Sequence, residues 1–159
     1  MSGAPAYHLA QINLARMLRP LDHPAMAGFV AWLEAVNALA DESPGFVWRL
    51  QDEGGDATAL RPFGEDLLVN MSVWASIEDL WAFTYKSTHA QVFKRRKEWF
   101  EMPAEAHMAL WWTEAGTWPT TAEAKARIDH MRRHGPGPYA FTFKARFPAP
   151  EFEALAAGA

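Results

Sequence analysis

The sequence predicts an α+β fold. Three observations carry that expectation. Strand-like and helix-like runs follow one another as β-α-β-β-α-β, with a further helix and strand behind them. Pro and Gly clusters punctuate the runs at their ends. The clearest strand, residues 67–74, leads directly into a helix-capping signal. The chain has 159 residues, half of them hydrophobic, which is enough for one domain with a sizeable core.

The first strand is read at Tyr7 to Ala15, where apolar and polar residues alternate loosely before Pro20 and Pro24. Asp22 is placed to cap the helix that follows, with Pro24 in its first turn. Met26, Phe29, Val30, Leu33, Val36, Asn37 and Ala40 recur at helical spacing and predict one buried stripe. Ser43-Pro44-Gly45 stops that helix. Phe46 to Gln51 reads as the second strand, Gly54-Gly55-Asp56 as a turn, and Ala57 to Pro62 as a short extended piece. Leu67 to Trp74 is the third strand. Ser76 with Asp79 makes the capping pair of the next helix, whose stripe is Ile77, Leu80, Trp81 and Thr84. A break near Ser87 and a second helical piece from about His89 to Phe100 are expected. Ala109 to Thr113 is the fourth strand. Pro119-Thr120-Thr121 opens a helix that runs to about His134 and stops at Gly135-Pro136-Gly137-Pro138. Tyr139 to Ala145 is read as a fifth strand, and the Ala-rich tail from Pro148 as frayed. One domain over residues 1–159 is expected, with its core at about 7–148 and a flexible tail at 149–159.

The first six elements match the ferredoxin-like split motif, in which the first strand lies between the third and the fourth. In that arrangement helices cover one sheet face. The sequence offers no obvious helix for the other, so a second copy of the chain is expected to roof it. The expected architecture is therefore a ferredoxin-like dimeric α+β barrel and the expected partner a homodimer.

Composition narrows the function. Lys plus Arg number 15 against 19 Asp plus Glu, for a net charge of -4. That balance offers no basic stripe for nucleic acid. No apolar run approaches the roughly 18 residues of a membrane span, and residues 1–15 lack a secretory pattern. A cytoplasmic protein is expected. There are no cysteines, which removes thiol chemistry and cysteine-ligated metals. No Ser-His-Asp order or paired-carboxylate signature stands out. Gly54-Gly55 lacks the strand-to-helix setting of a phosphate cradle, so no nucleotide cofactor is expected.

Alternation along the strands sorts the side chains into two sets. One set gathers Gln11, Asn13, Arg49, Asn70, Ser72, Trp74, Trp111 and Thr113. Aromatic walls with a few amides and hydroxyls suit a small-molecule pocket. The same set would also serve as a wet sheet face or a polar dimer interface. Arg16 and Arg49 are candidates to clamp a carboxylate, because a guanidinium binds such groups through two parallel bonds. The run Lys94-Arg95-Arg96-Lys97 spreads around a helix and reads as solvated surface, with Arg96 the position from which an anionic substrate group could be met.

The stretches "HLAQINLARM" (8–17) and "LLVNMSVWASIEDLWAFTYKSTHAQVFKRRKEWF" (67–100) resemble the antibiotic-biosynthesis-monooxygenase-like superfamily of dimeric α+β barrels. The shared feature is a Trp closing the third strand and an S-x-H in the helix beyond, here Trp74 and Ser87-Thr88-His89. The stretch "ALWWTEAGTWPTTAEAKARIDHMRRHGPGPYAFTFKARFP" (109–148) closely resembles one branch, a bacterial family of domains of unknown function. The superfamily resemblance implies a cofactor-less monooxygenase of aromatic molecules, a heme-using enzyme or an isomerase. The heme-degrading type uses an Asn on the first strand, a Trp at the end of the third and a His on the second helix. Asn13, Trp74 and His89 stand at those places. The implied site is thus His89, Asn13 and Trp74 as catalytic residues, with His89 as iron ligand if heme is used. Gln11, Arg49, Asn70, Ser72 and Trp111 would contact substrate.

Read from its own surroundings, His89 starts a stripe with Val92, Phe93 and Arg96, and either a ligand or base, or a histidine bonded to backbone, fits there. His130 and His134 stand one turn apart without a third ligand, so no metal site is expected. His8 and His107 could meet if the first and fourth strands pair, and His23 beside a helix start is given no role. Two functions follow: a monooxygenase-like oxidoreductase acting on a small apolar or aromatic molecule, cofactor-less or with heme, or a non-catalytic barrel that binds such a molecule.

Overall fold

Ten residues of alternating side chains, Tyr7–Arg16, form the central strand, β1. The computed structural model describes residues 7–51, 58, 60–103 and 105–150. After β1, a short 3-10 turn at Pro24–Met26 leads into helix α1, Ala27–Glu42. His23, not Asp22, caps that turn, its Nδ1 accepting from the Ala25 N–H at 3.0 Å. Strand β2, Phe46–Arg49, and strand β3, Leu67–Trp74, follow. The turn expected at Gly54-Gly55-Asp56 lies outside the described residues, and residues 58 and 60–62 form no strand.

Helix α2, Ile77–Lys86, begins as its capping pair predicts. Ser76 Oγ accepts from the Asp79 N–H at 3.1 Å and donates to the Asp79 carboxylate at 2.9 Å. The helix breaks at Ser87, and helix α3 runs over His89–Lys94 before a 3-10 turn at Arg96–Glu98. Strand β4, Met108–Glu114, and helix α4, Thr121–His134, complete the set. Thr120 Oγ1 caps α4 at the Glu123 N–H, and Gly135, at φ +81°, ends it.

The four strands form one antiparallel sheet in the order β2-β3-β1-β4. This is the ferredoxin-like order, with β1 between β3 and β4. Helices lie on both faces. The apolar face (Ala10, Ile12, Leu14, Val69, Met71, Val73, Trp111) packs on Ala124, Ile128 and Met131 of α4. The mixed face carries Leu9, Trp74 and Leu110 and packs on Ala40 of α1 and on Ile77 and Leu80 of α2. The expectation that a second copy roofs the mixed face is therefore corrected. α1, α2 and α3 roof it, and α4, read in the sequence but given no face, takes the other.

The expected strand at Tyr139 to Ala145 is also corrected. Only Phe141 pairs with the sheet, exchanging two 2.8 Å backbone bonds with Leu110 at the outer edge of β4. Turns flank that pair on both sides: Ala140 bonds back to Gly137, and the Ala145 N–H donates to the Thr142 carbonyl at 3.2 Å, so the chain leaves β4 after one pair. The segment instead crosses that edge and packs over the mixed face. The Trp112 indole N–H donates to the Phe147 carbonyl at 2.8 Å, and Phe143 meets Trp81 edge-on.

Candidate functional site

The sheet-facing stripe of α1 does not reach a packed core. Of the sixteen residues of α1, only Ala40 is buried. Phe29, Trp32, Leu33 and Val36 instead border a cavity of about 440 Å³ between α1, α3 and the mixed face of the sheet. That volume lies within the roughly 300–1,000 Å³ of ordinary ligand pockets. Met26 and Trp99, both buried, and Phe29, tilted against Trp99, hold the start of the helix. Gly28 lets it come close, since a Cβ there would meet Trp99 at 3.3 Å.

The floor is polar. Antiparallel pairing sets Asn13 opposite Asn70 and Gln11 opposite Ser72. Such directly opposed pairs are the closest cross-strand neighbours. Gln11 Nε2 donates to Asn70 Oδ1 at 2.6 Å and to Ser72 Oγ at 2.8 Å. The Trp74 indole N–H donates to the same Ser72 oxygen at 2.9 Å. Gln11 and Ser72 are buried, whereas Asn70 is exposed to the opening and Asn13 is half-buried. Asn13 makes no side-chain hydrogen bond among the described residues, so its amide can meet a guest.

One wall is a ladder of flat groups. Trp74 stacks on Phe83 at 5.1 Å, Phe83 lies 4.9 Å from His89, and His89 stacks on Phe93 at 6.2 Å. The Arg96 guanidinium closes the ladder, 4.1 Å from the Phe93 ring centre. A flat aromatic surface at such spacings suits another flat molecule.

His89 is held from two sides. Its backbone N–H donates to Ser87 Oγ at 3.1 Å, and its ring Nδ1 lies 3.1 Å from the Thr84 carbonyl oxygen. A carbonyl only accepts, so Nδ1 carries the proton and Nε2 keeps its lone pair. Burial pushes the His89 imidazole below its usual range, and the bond to Thr84 opposes that only in part. A neutral imidazole with a fixed tautomer can take a proton or ligate a metal ion. His107 also borders the cavity and is pushed down, first by burial and then by the positive charges of Arg96 and Arg132.

Gln11, Asn13, Arg49, Asn70, Ser72, Trp74 and His89 all border this one cavity. Arg49 Nε pairs with Asp41 of α1 at 2.8 Å. Two expected neighbours are elsewhere. Trp111 and Thr113 lie opposite Ala10 and His8 of β1, on the face that α4 covers. Trp111 is buried there and its indole N–H has no partner among the described residues. Arg16 lies away from the cavity too, paired with Asp66 and, at 3.7 Å, with Glu101. His8 and His107 do not meet: β1 and β4 do pair, but His8 faces Thr113 at one end of the ladder and His107 bonds Leu14 at the other. His130 and His134 sit 4.6 Å apart, and no group of three or more His, Asp or Glu that could hold a metal ion occurs among the described residues.

The α1 stripe, Thr84 and His107 were not read as site residues from the sequence. The stripe carries the ordinary signature of a core-facing helix, and nothing in its spacing distinguishes a hollow from a packed core.

A ferredoxin-like α+β domain with an open, aromatic-walled cavity between its sheet and three of its helices is the class of protein that these features define. The chain belongs to the family of domains of unknown function DUF3291, whose family model matches residues 8–157. No curated protein matches the sequence. Among solved structures it is similar to a Nitrosomonas europaea protein of unknown function, at 15% identity and a TM-score of 0.45 over 72% of this chain and 97% of the other. A Pseudomonas aeruginosa protein is similar at 14% identity and TM-score 0.47, over 72% of this chain and 100% of the other. A candidate antibiotic biosynthesis monooxygenase from Nitrosomonas europaea gives 12% identity and TM-score 0.45, over 76% and 99%. No described helix is long and apolar enough to cross a membrane.

Proposed function

We propose that this protein takes a small, flat, apolar or aromatic molecule into the cavity under α1 and acts on it as a monooxygenase-like oxidoreductase. The observation that carries the reading is the unfilled side of α1. Four large apolar side chains face a hollow with a polar floor, and burying such surface against a guest is favourable at about 25 cal/mol per Å². The sequence resemblance supplies the oxygenase part of the reading.

In the cofactor-less form, neutral His89 takes a proton from an acidic C–H of the substrate. The amide of Asn13 and the free N–H groups of Asn70 steady the negative charge that develops. The substrate anion passes its electrons to O2 and bonds one of its oxygen atoms; the O–O bond then breaks and the other atom leaves as water with the substrate's two protons, so no external reductant enters. Trp74 cannot be one of the donors, because its indole N–H is already given to Ser72. It serves as the end plate of the aromatic wall.

The donor set also fits heme. His89, neutral and with Nδ1 tied to Thr84, is the residue that would hold the iron through Nε2. Heme, when bound, supplies the activation of oxygen. Recording the visible spectrum with hemin for the wild type and His89→Ala tests this form. An unchanged Soret band in the variant removes the ligand role.

Oxygen uptake with a panel of polycyclic phenols tests the enzyme reading. Uptake that His89→Ala abolishes supports it. Tight binding without uptake favours the alternative, a non-catalytic binding barrel. The bonding of Gln11, Asn70, Ser72 and Trp74 to one another is the observation on that side, since it leaves few donors for chemistry. A homodimer belongs to the reading through the sequence resemblance, and light scattering at micromolar concentration checks it.

A further inference from the structure

We infer that the molecule the cavity accepts carries a small oxyanion, such as a carboxylate, and that Arg96 at the solvent-facing rim receives it. The inference rests on the reading that the cavity takes an apolar guest, and it adds the chemistry of one end of that guest.

The charges around the cavity leave one cation over. Arg49 is matched by Asp41 at 2.8 Å. Glu101, the one acidic residue among the described residues bordering the cavity, lies 3.7 Å from Arg16 outside it. Arg132, near His107, has Glu105 at 3.5 Å and Asp129 at 3.7 Å. Arg96 has no acidic partner among the described residues. Its guanidinium lies over the Phe93 ring at 4.1 Å and spends one N–H on the Phe93 carbonyl at 2.9 Å. A guanidinium has five donors in a rigid planar fork, so an edge is left for two parallel bonds to an oxyanion. Stacking on Phe93 fixes the plane of that fork before any guest arrives, which lowers the ordering cost of binding.

Position agrees with charge. Arg96 is the last rung of the ladder that runs through Phe93, His89 and Phe83 to Trp74. A flat guest lying along the ladder brings one end beside Arg96. His107 borders the same cavity and is kept neutral by burial and by Arg96 itself, so it can donate a hydrogen bond to the same oxyanion without competing for charge.

The test uses two fluorescent probes with the same aromatic body, anilinonaphthalene sulfonate and its uncharged analogue phenylnaphthylamine. They are titrated into the full-length protein. Val36→Trp, which fills the cavity, should abolish binding of both and so locates the site. The expected result is that Arg96→Gln weakens the sulfonate about tenfold or more and leaves the neutral probe unchanged. Arg96→Lys, which keeps the charge but not the fork, should recover only part of the loss, and a packing role would produce no recovery specific to the sulfonate. Equal weakening of both probes by Arg96→Gln, unchanged sulfonate affinity, or a wild type that binds only the neutral probe would each overturn the inference while leaving the cavity reading intact. Failure of both probes to bind the wild type would overturn the cavity reading itself, and the inference with it.

Discussion

His89 lies against Phe83 with ring centroids 4.9 Å apart, while its Nδ1 reaches the Thr84 carbonyl oxygen at 3.1 Å. Both contacts come from the end of α2, and the break at Ser87 makes them possible. Ser87 ends the helix, bonds back to the Phe83 carbonyl and accepts the His89 N–H. The chain then re-enters a helix with the imidazole turned back along the turn it has left. A half-buried, neutral histidine beside a cavity is the product of that local geometry.

That neutrality has a pH signature. Burial lowers the folded-state pKa of His89, so below about pH 6.5 the unfolded chain binds a proton that the folded chain resists. Stability therefore falls as pH drops through that value, and the loss stops growing below the folded pKa. His107 shifts in the same direction and adds to the effect. Urea midpoints taken at about pH 7.5 and about pH 5 should draw together in His89→Gln, and further in a variant that also carries His107→Gln. A wild-type gap that neither variant narrows contradicts the assignment.

Truncations should separate the two helix layers. Ile128 of α4 is fully buried, and Ile128→Ala should cost about 2–5 kcal/mol. Leu33 of α1 faces the hollow, so Leu33→Ala should cost less than about 1.5 kcal/mol, since few packed neighbours are lost. Chemical denaturation checks both, and equal losses would mean that α1 is packed as tightly as α4.

Gly45 and Gly116 both have positive φ, +79° and +88°. The backbone term of a change to Ala is thus similar, about 1–3 kcal/mol. At Gly45 the added Cβ would also collide with Asp79, the residue that shares the cap of α2 with Ser76. At Gly116 it would meet nothing within 4 Å. Thermal unfolding should show Gly45→Ala well below Gly116→Ala, and the reverse order would contradict the packing of the β2 start against α2.

The indoles of Trp74 and Trp111, which strand alternation puts in one set, should behave differently. Trp74→Phe removes the donor to Ser72 and loosens the cavity floor, so it should weaken binding of phenylnaphthylamine several-fold, with about 1 kcal/mol of stability lost. Trp111→Phe removes an indole N–H that has no partner among the described residues and lies on the other face, so probe affinity should stay unchanged. A matching loss in both variants would place them on one site after all.

How far the sequence reached follows from where its signals are local. β3 was read to the residue, and the starts of α2 and α4 were legible because Ser76 and Thr120 act on amides three residues away. The floor of the cavity was legible because alternation in β1 and β3 puts Gln11, Asn13, Asn70 and Ser72 on one side. Strand β4 offered no such guide. Trp111-Trp112 places an indole on each face, so either parity buries one ring, and only the register with β1 decides. The bulge between Phe46 and Trp48 hid the parity of β2 in the same way, sending Trp48 to the α4 face and keeping Arg49 opposite Ser72. The side of the sheet that α4 takes is a tertiary choice, and missing it led to the second copy as a roof.

A crystal structure of the protein soaked with naphthol tests directly whether the hollow under α1 takes a guest. Density for a flat guest is expected between Val36 of α1 and the amides of Asn13 and Asn70, alongside the Phe83 and His89 rings. A helix α1 found lying on the sheet, with Trp32 and Val36 packed against Ser72 and Asn70 and no space between them, would contradict it.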